Sequence, residues 1–405
     1  MTRPRGIALL LCAAEILSMT GFATWAALLP TLRQAWRLTN SEAGLISGAF
    51  FGGYMAAVPL LTSLTDRVDA RRVYAFASAI STIGLLGFAA LAGGLWGAAL
   101  LQAVAGAGLA GTYMPGLKVL TDHIEGSGRS RSVAFYTSSF GVGASVSLLL
   151  ASVAAGLGGW RVAFAAAGLG PIAAGALVLS LVPAAPPTSL PSSAPASAFR
   201  AVLRTRAALG YIVGYAVHCW ELFAFRSWVV AFLTFNRAFQ AVGRGMPVGA
   251  PAFVAGVNLL GPPASILGNE LAARVGTLRF VRAAMLVSAA LACLVGLLGS
   301  SPWPWTAAGT ALYLVAIMAD SSALTAAVVA AAPAAYRGTT MAVHSFLGFG
   351  SGFVAPITFG AVLDLTGGGD SPRAWAFAFA SLGFTGFAGR LVLTRAARHA
   401  RRSLA

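Results

Sequence analysis

The sequence predicts an all-α polytopic membrane protein of twelve transmembrane helices in two six-helix bundles, and three observations carry that prediction. Of 405 residues, 58% are hydrophobic and only 9% are charged, with a mean hydropathy of +0.80. Soluble domains carry about a quarter charged residues, so a chain this poor in charge cannot coat its cores with a wetted surface, and most of its apolar side chains must face lipid. The second observation is length: a hydrocarbon core about 30 Å thick needs about 20 helical residues, and apolar runs of that size fill the chain. The third is a single long proline-rich break that divides the runs into two sets of six.

The first set covers residues 6–31, 43–64, 73–93, 97–120, 132–156 and 161–183. The second covers 207–236, 250–268, 280–299, 305–331, 339–364 and 374–395. Between them, residues 184–206 read as a flexible linker, because Pro186, Pro187, Pro191 and Pro195 lie among Ser and Ala in a composition that cannot pack. The expected domains are therefore a bundle over 1–183, the linker, and a bundle over 207–405. Arg3 and Arg5 before an apolar run resemble the start of a signal peptide. The run continues past Glu15 to Leu29 without a small-residue cleavage site, which makes it an uncleaved first span.

The net charge of +16 would suggest nucleic acid in a soluble chain. Its distribution argues otherwise: the basic residues fall in short loops and at the two ends, with no aromatic-interleaved basic stripe. Alternating spans place 20 Arg and Lys on the side of the N-terminus and 6 on the other, with Arg226 left inside a span. By the positive-inside rule both termini and the linker are cytoplasmic, and the expected location is the cytoplasmic (inner) membrane of a bacterium. Cys12, Cys219 and Cys293 all sit in apolar runs without a CxxC spacing, so neither a disulfide framework nor a thiolate metal site is expected.

The two halves echo each other. Leu64-Thr65-Asp66-Arg67-Val68-Asp69-Ala70-Arg71-Arg72 follows the second span, and Leu271-Ala272-Ala273-Arg274-Val275-Gly276-Thr277-Leu278-Arg279 follows the eighth. Internal repeats of this kind are common in transporters, with the solute site between them.

At these residues the chain resembles the major facilitator superfamily. The likeness covers essentially the whole chain. The family's loop signature G-x-L-A-D-R-x-G-R-R/K aligns with Thr62 to Arg71, where Leu64, Asp66, Arg67 and Arg71 match, Thr62 and Asp69 replace two glycines, and Ala70 replaces an Arg. Gly268-Asn269-Glu270 before the second copy, Leu29-Pro30, Gly106 and Gly108, Gly159-Trp160-Arg161 and Arg337-Gly338 are further likenesses in register. The resemblance implies two bundles related by a pseudo-twofold axis, with spans one, four, seven and ten lining a central cavity. A carboxylate at a cytoplasmic helix end can take an Arg from the neighbouring bundle in a charge-assisted bond, so Asp66, Arg67, Arg71 and Arg274 are the expected cytoplasmic latch; the alternative is that they only set topology. Many of the family's proton-coupled drug exporters carry an Arg where Gln102 stands, and a Gly-Pro pair in span five where this chain has Gly141 and Gly143 without proline. Drug antiport is correspondingly disfavoured.

Ionisable groups at membrane depth are expensive and mark functional sites. At 1.5 Å per residue, Glu15 lies about 14 Å into span one, Asp320 about 22 Å into span ten, and His218 and Glu221 about 17 and 21 Å into span seven. Glu15, Glu221 and Asp320 are the expected proton-coupling acids. In span seven, Tyr211, Tyr215, His218, Glu221, Leu222, Phe225 and Arg226 share one helical face about 140° wide. Arg226 can hold an anionic group bidentately, and His218 can take and release a proton; the alternative for Arg226 is a static ion pair. Tyr113, Gln102 and Asn258 add hydrogen-bonding capacity toward a polar solute.

These features separate the function classes. A primary pump needs a nucleotide loop, and no G-x-x-x-x-G-K-[S/T] is present; HExxH and G-x-S-x-G are absent too, so no enzyme is expected. The sequence reading is a secondary active transporter that moves a small polar or anionic solute by alternating access, with proton-coupled uptake preferred. Proton-driven efflux is the first alternative and a non-transporting sensor the second. No cofactor or metal is expected. The expected partners are the solute, protons and the lipid bilayer, and the expected state is a monomer.

Overall fold

A computed structural model describes residues 4–124, 127–185, 200, 202–240, 246–333 and 337–402. Most of the expected linker, 186–199 and 201, lies outside the described residues. The described chain forms fourteen α-helices: α1 Pro4–Ser18, α2 Thr24–Ala35, α3 Asn40–Leu64, α4 Ala70–Leu91, α5 Leu95–His123, α6 Ser127–Leu181, α7 Arg206–Phe239, α8 Ala250–Asn258, α9 Gly261–Val275, α10 Thr277–Leu297, α11 Trp303–Ala319, α12 Ser321–Ala331, α13 Arg337–Thr366 and α14 Pro372–Arg402.

Eleven stretches among the described residues are long and apolar enough to cross a membrane. One of them, Arg131–Leu181, has 51 residues, long enough for two passes. It breaks at Gly158 and Gly159, and Gly159 sits at φ 76°, a left-handed conformation that a side chain would strain. The two passes therefore match the fifth and sixth runs of the sequence. Leucines such as Leu157 and Leu365 are 83% and 84% exposed, as a lipid-facing belt requires.

Three of the predicted spans are interrupted. The first divides into α1 and α2 around a 3-10 turn at Met19–Gly21, the eighth into α8 and α9, and the tenth into α11 and α12. Each span stays apolar overall across its break, so the interruptions are invisible to hydropathy.

The chain divides into two compact units. The first contains α1, α2, α3 from Ala49 onward, α4, α5, α6 and nearly all of α8; the second contains the first turns of α3, α7 and α9 to α14. In the first unit Phe88 and Phe164 stack at 3.8 Å beside Trp25 and Trp160. Arg161 lies over the Trp160 ring and donates to the Ala89 carbonyl at 2.8 Å, which satisfies an end carbonyl of α4. Gly106 lets α5 touch α3: a Cβ there would overlap the Phe50 carbonyl oxygen. In the second unit Trp228, Phe232, Phe359, Trp375 and Phe379 form an aromatic core. There Asp364 of α13 caps α3, accepting from the Asn40 and Ser41 backbone N–H groups at 3.0 and 2.8 Å and from Asn40 Nδ2 and Ser41 Oγ at 2.7 and 2.6 Å.

The loop before α4 is held locally. Asp69 accepts from the Arg71 N–H at 3.0 Å as N-cap and pairs with the Arg71 guanidinium at 2.7 Å. Arg71 also donates to the Val182 carbonyl. Partial burial pushes the Asp69 carboxyl up, but the Arg71 hydrogen bonds and the neighbouring charges of Arg71 and Arg72 outweigh it, leaving the pKa below the ordinary 3.8.

Candidate functional site

The second unit holds a buried imidazole–carboxylate pair. His218, midway along α7, places Nδ1 2.8 Å from Oδ1 of Asp320, with side chains only 2% and 5% exposed. Asp320 is neither inside α11 nor inside α12: it is the single residue between them, at φ −92° and ψ −9°. An Asp side chain competes with the helical backbone and favours such junctions. Neighbouring elements tolerate the break. Gly268 of α9 brings its backbone against the Ala319 carbonyl, where any Cβ would clash, and Ser265 Oγ lies 2.6 Å from Ser322 Oγ and accepts from the Ser322 N–H at 3.3 Å. An orphan donor at the start of α12 is thereby satisfied.

Rings extend from this pair. Tyr215 stacks against His218 at 5.6 Å between centroids and against His344 of α13 at 3.8 Å. His344 is buried, and its Nδ1 has no hydrogen-bond partner among the described residues. One turn beyond His218, Glu221 is buried and accepts from Ser288 Oγ of α10 at 3.0 Å. Arg226 is partly buried, and the ring of its neighbour Phe225 meets Tyr313 edge-on at 5.1 Å. Tyr211 packs in apolar clusters with Ala323, Leu324 and Val328, the first of which Tyr215 also borders.

The first unit holds a different arrangement. Glu15 on α1 is fully buried, and none of the ion pairs among the described residues includes it. Its Oε2 lies 3.1 Å from Tyr136 Oη, which also lies 2.9 Å from the Tyr113 carbonyl oxygen. A single hydroxyl proton cannot serve both acceptors at once. One turn along α1, Ser18 Oγ and Tyr74 Oη are 2.8 Å apart. The Tyr113 ring stacks on Tyr136. Gln102 of α5 and Asn258 at the end of α8 are buried, and Gln102 Nε2 and Asn258 Oδ1 have no hydrogen-bond partner among the described residues.

The structure thus joins His218, Asp320 and Tyr215 of the expected residues, and sets Glu15 in a separate cluster. Asp66, Arg67 and Arg274 enter no ion pair among the described residues, while Arg71 is engaged by Asp69. Sequence reasoning missed Ser288 and Tyr74 as partners of the buried groups, and missed the Asp364 cap. A lone serine or tyrosine in an apolar run carries no signal of what it faces. Asp364, near the end of its span, was the one readable hint.

Comparison with known proteins agrees with this architecture. The model of the Major Facilitator Superfamily matches residues 11–356. A protein of Cupriavidus necator named "Probable sulfoacetate transporter SauU" is 26% identical over 375 residues, covering 85% of this chain and 83% of that protein. Among solved structures, a bacterial homolog of the human lysosomal transporter Spinster, inward-facing and unoccupied, superposes with a TM-score of 0.75 at 17% identity, covering 98% of this chain and 95% of that one. The POT family transporter PepTSo gives 0.75 at 15% identity, covering 99% of each chain. The nucleoside transporter NupG gives 0.73 at 15%, covering 96% of this chain and 98% of the other. A helical chain with membrane-length passes, polar groups buried at depth and a family match over most of its length is a transporter of a small solute, and it belongs to the Major Facilitator Superfamily.

Proposed function

We propose that the chain is a secondary active transporter that takes up a small polar or anionic solute by proton coupling and alternating access. The observation that carries the coupling is the His218–Asp320 pair, buried at a break between two helices. When a proton is present the pair is an imidazolium against a carboxylate; when it leaves, a neutral imidazole still donates one N–H to the carboxylate. The hydrogen bond survives while the net charge changes by one, which suits a group that must release a proton without collapsing its surroundings. Glu221, one turn away, is a further proton carrier in this reading, and Glu15, which faces the Tyr136 hydroxyl in the first unit, contributes less to the coupling.

Two observations support an anionic solute. Arg226 is partly buried five residues beyond Glu221, and its planar fork suits carboxylate or sulfonate oxygens. The 26% identical relative carries the name of a sulfoacetate transporter, and sulfoacetate holds one group of each kind. His218 and Tyr215 supply further contacts beside Arg226 in the second unit; in the first, Gln102 Nε2 and Asn258 Oδ1 have hydrogen-bonding capacity to spare. The loop with Asp66, Arg67 and Arg71, and its echo at Arg274, sets the balance between inward- and outward-open states. Uptake is preferred to export because Gln102 stands where exporters of the family carry Arg. In this reading the chain acts as a monomer in the cytoplasmic membrane with both termini inside, an orientation that the distribution of its arginines supports.

The test is reconstitution. Proteoliposomes should accumulate labelled sulfoacetate or a similar small anion when an inward proton gradient is imposed, and should stop when a protonophore collapses it. Accumulation that ignores the gradient rules out proton coupling, and accumulation driven only by an outward proton gradient assigns proton antiport.

A further inference from the structure

We infer that Arg282 of α10 and Arg390 of α14 form a paired guanidinium clamp for a phosphate-type oxyanion, separate from the solute and proton groups. The helices pack antiparallel, and their glycines fix the register. Gly296 meets Ala376 and Phe379, Gly383 meets Ala289 and Cys293, and Gly386 meets Met285 and Ala289. Continuing one turn along the same direction sets Arg390 opposite Arg282. The facing matches as well. At about 100° per residue, Arg282 falls on the stripe of Met285, Ala289, Cys293 and Gly296, and Arg390 on the stripe of Phe379, Gly383, Gly386 and Leu393.

Two like charges therefore point into one seam whose other residues are apolar or small. No carboxylate answers them: neither Arg enters an ion pair among the described residues, and the Nε atom of each is buried without a hydrogen-bond partner there. A seam with two cations and two unsatisfied inward N–H groups is completed by an anion with several oxygens in a compact array, and phosphate is the group whose geometry a pair of forks fits. Arg282 lies five residues into α10, about 8 Å from its start, the depth of an interfacial headgroup. Beside Arg390, Phe387 and Leu391 are 38% and 58% exposed, an apolar flank on which acyl chains can lie. A phospholipid headgroup and free inorganic phosphate share the required chemistry.

Native mass spectrometry of the full-length protein would test the clamp, with phosphatidylglycerol, phosphatidylcholine and inorganic phosphate as probes. Wild type should retain phosphatidylglycerol about tenfold more strongly than the Arg282→Gln/Arg390→Gln double variant, and Arg279→Gln, an exposed position on the same helix, should behave as wild type. Retention of both phospholipids with equal loss in the double variant assigns the phosphodiester itself. Thermal stabilisation by inorganic phosphate without lipid retention, lost in the double variant, keeps the clamp and assigns a free anion. Unchanged binding in the double variant, or an equal loss in Arg279→Gln, overturns the proposal. Should the double variant fail to fold, Arg282→Lys and Arg390→Lys preserve charge and remove the fork; each should weaken retention about threefold, and wild-type binding in both overturns it.

Discussion

Glu15 and Asp320 are both carboxyl groups buried at membrane depth, yet the two units surround them differently. Asp320 sits at a helix break and faces an imidazole that can carry charge. Glu15 sits inside α1, one turn before its break at Met19–Gly21, and faces the hydroxyl of Tyr136, with no ion pair among the described residues. Burying a charge is tolerable only with a partner. The carboxyl of the first unit therefore has a hydroxyl partner, and that of the second has an imidazole hydrogen-bonded to it. On the proposed mechanism the partner, and not depth alone, makes a carboxyl a coupling group.

Breaking this comparison is direct. Asp320→Asn keeps the size and a hydrogen-bond acceptor but removes the titrating partner, and should reduce gradient-driven accumulation by about 100-fold while solute exchange persists. Glu15→Gln should cost no more than about threefold in the same proteoliposome assay, since an amide still bonds Tyr136. Equal losses in the two variants would erase the distinction between the units. Arg226→Ala comes next: it should raise the solute KM about 30-fold with a smaller change in kcat, measured by initial uptake rates over a concentration series.

Backbone contacts sharpen the comparison at lower cost. Gly268→Ala pushes a methyl group against the carbonyl of Ala319, the residue before Asp320, so it should disturb both stability and coupling. Gly106→Ala meets the Phe50 carbonyl in the first unit and should disturb stability alone. Each should lose about 1 to 3 kcal/mol, read as a lowered Tm, with the proton-to-solute ratio altered only in Gly268→Ala. The smallest effect is expected at Asp69. Its pKa is depressed in the folded chain, so its contribution is present above the ordinary 3.8 and is lost as pH falls through the lower folded value. Asp69→Asn should lower stability slightly at neutral pH, where the carboxylate contributes and part of the cap remains in the variant, and should converge with wild type as the acid limb flattens below about pH 4.

Hydropathy and charge exposed the helical class, the passes and the deep acids, because lipid imposes those properties residue by residue. Partnership was not legible in the same way. His218 and Asp320 are 102 positions apart, and nothing in either local sequence says that one helix turns the imidazole toward the other helix's break. The breaks themselves were hidden because each lies within a run that is apolar overall: Ala319-Asp320-Ser321 reads as a polar spot within a span, not as an end. Gly159 was the opposite case, a glycine in a Gly-Gly-Trp stretch where sequence and backbone agreed on a boundary.

The cap on α3 has a consequence for how the protein is made. Asn40 and Ser41 receive their acceptor from Asp364, 324 positions later in the chain. At about 5 to 20 residues per second of synthesis, the start of α3 waits some 15 to 65 seconds after emerging before its acceptor exists. The nascent chain must therefore enter the membrane with that helix start incomplete, hydrated or frayed, and lock it only when α13 arrives. Ribosome-stalled chains ending before and after residue 364 should differ in protease cleavage near residue 40, making this one hydrogen-bonded corner a clock for the last stage of assembly.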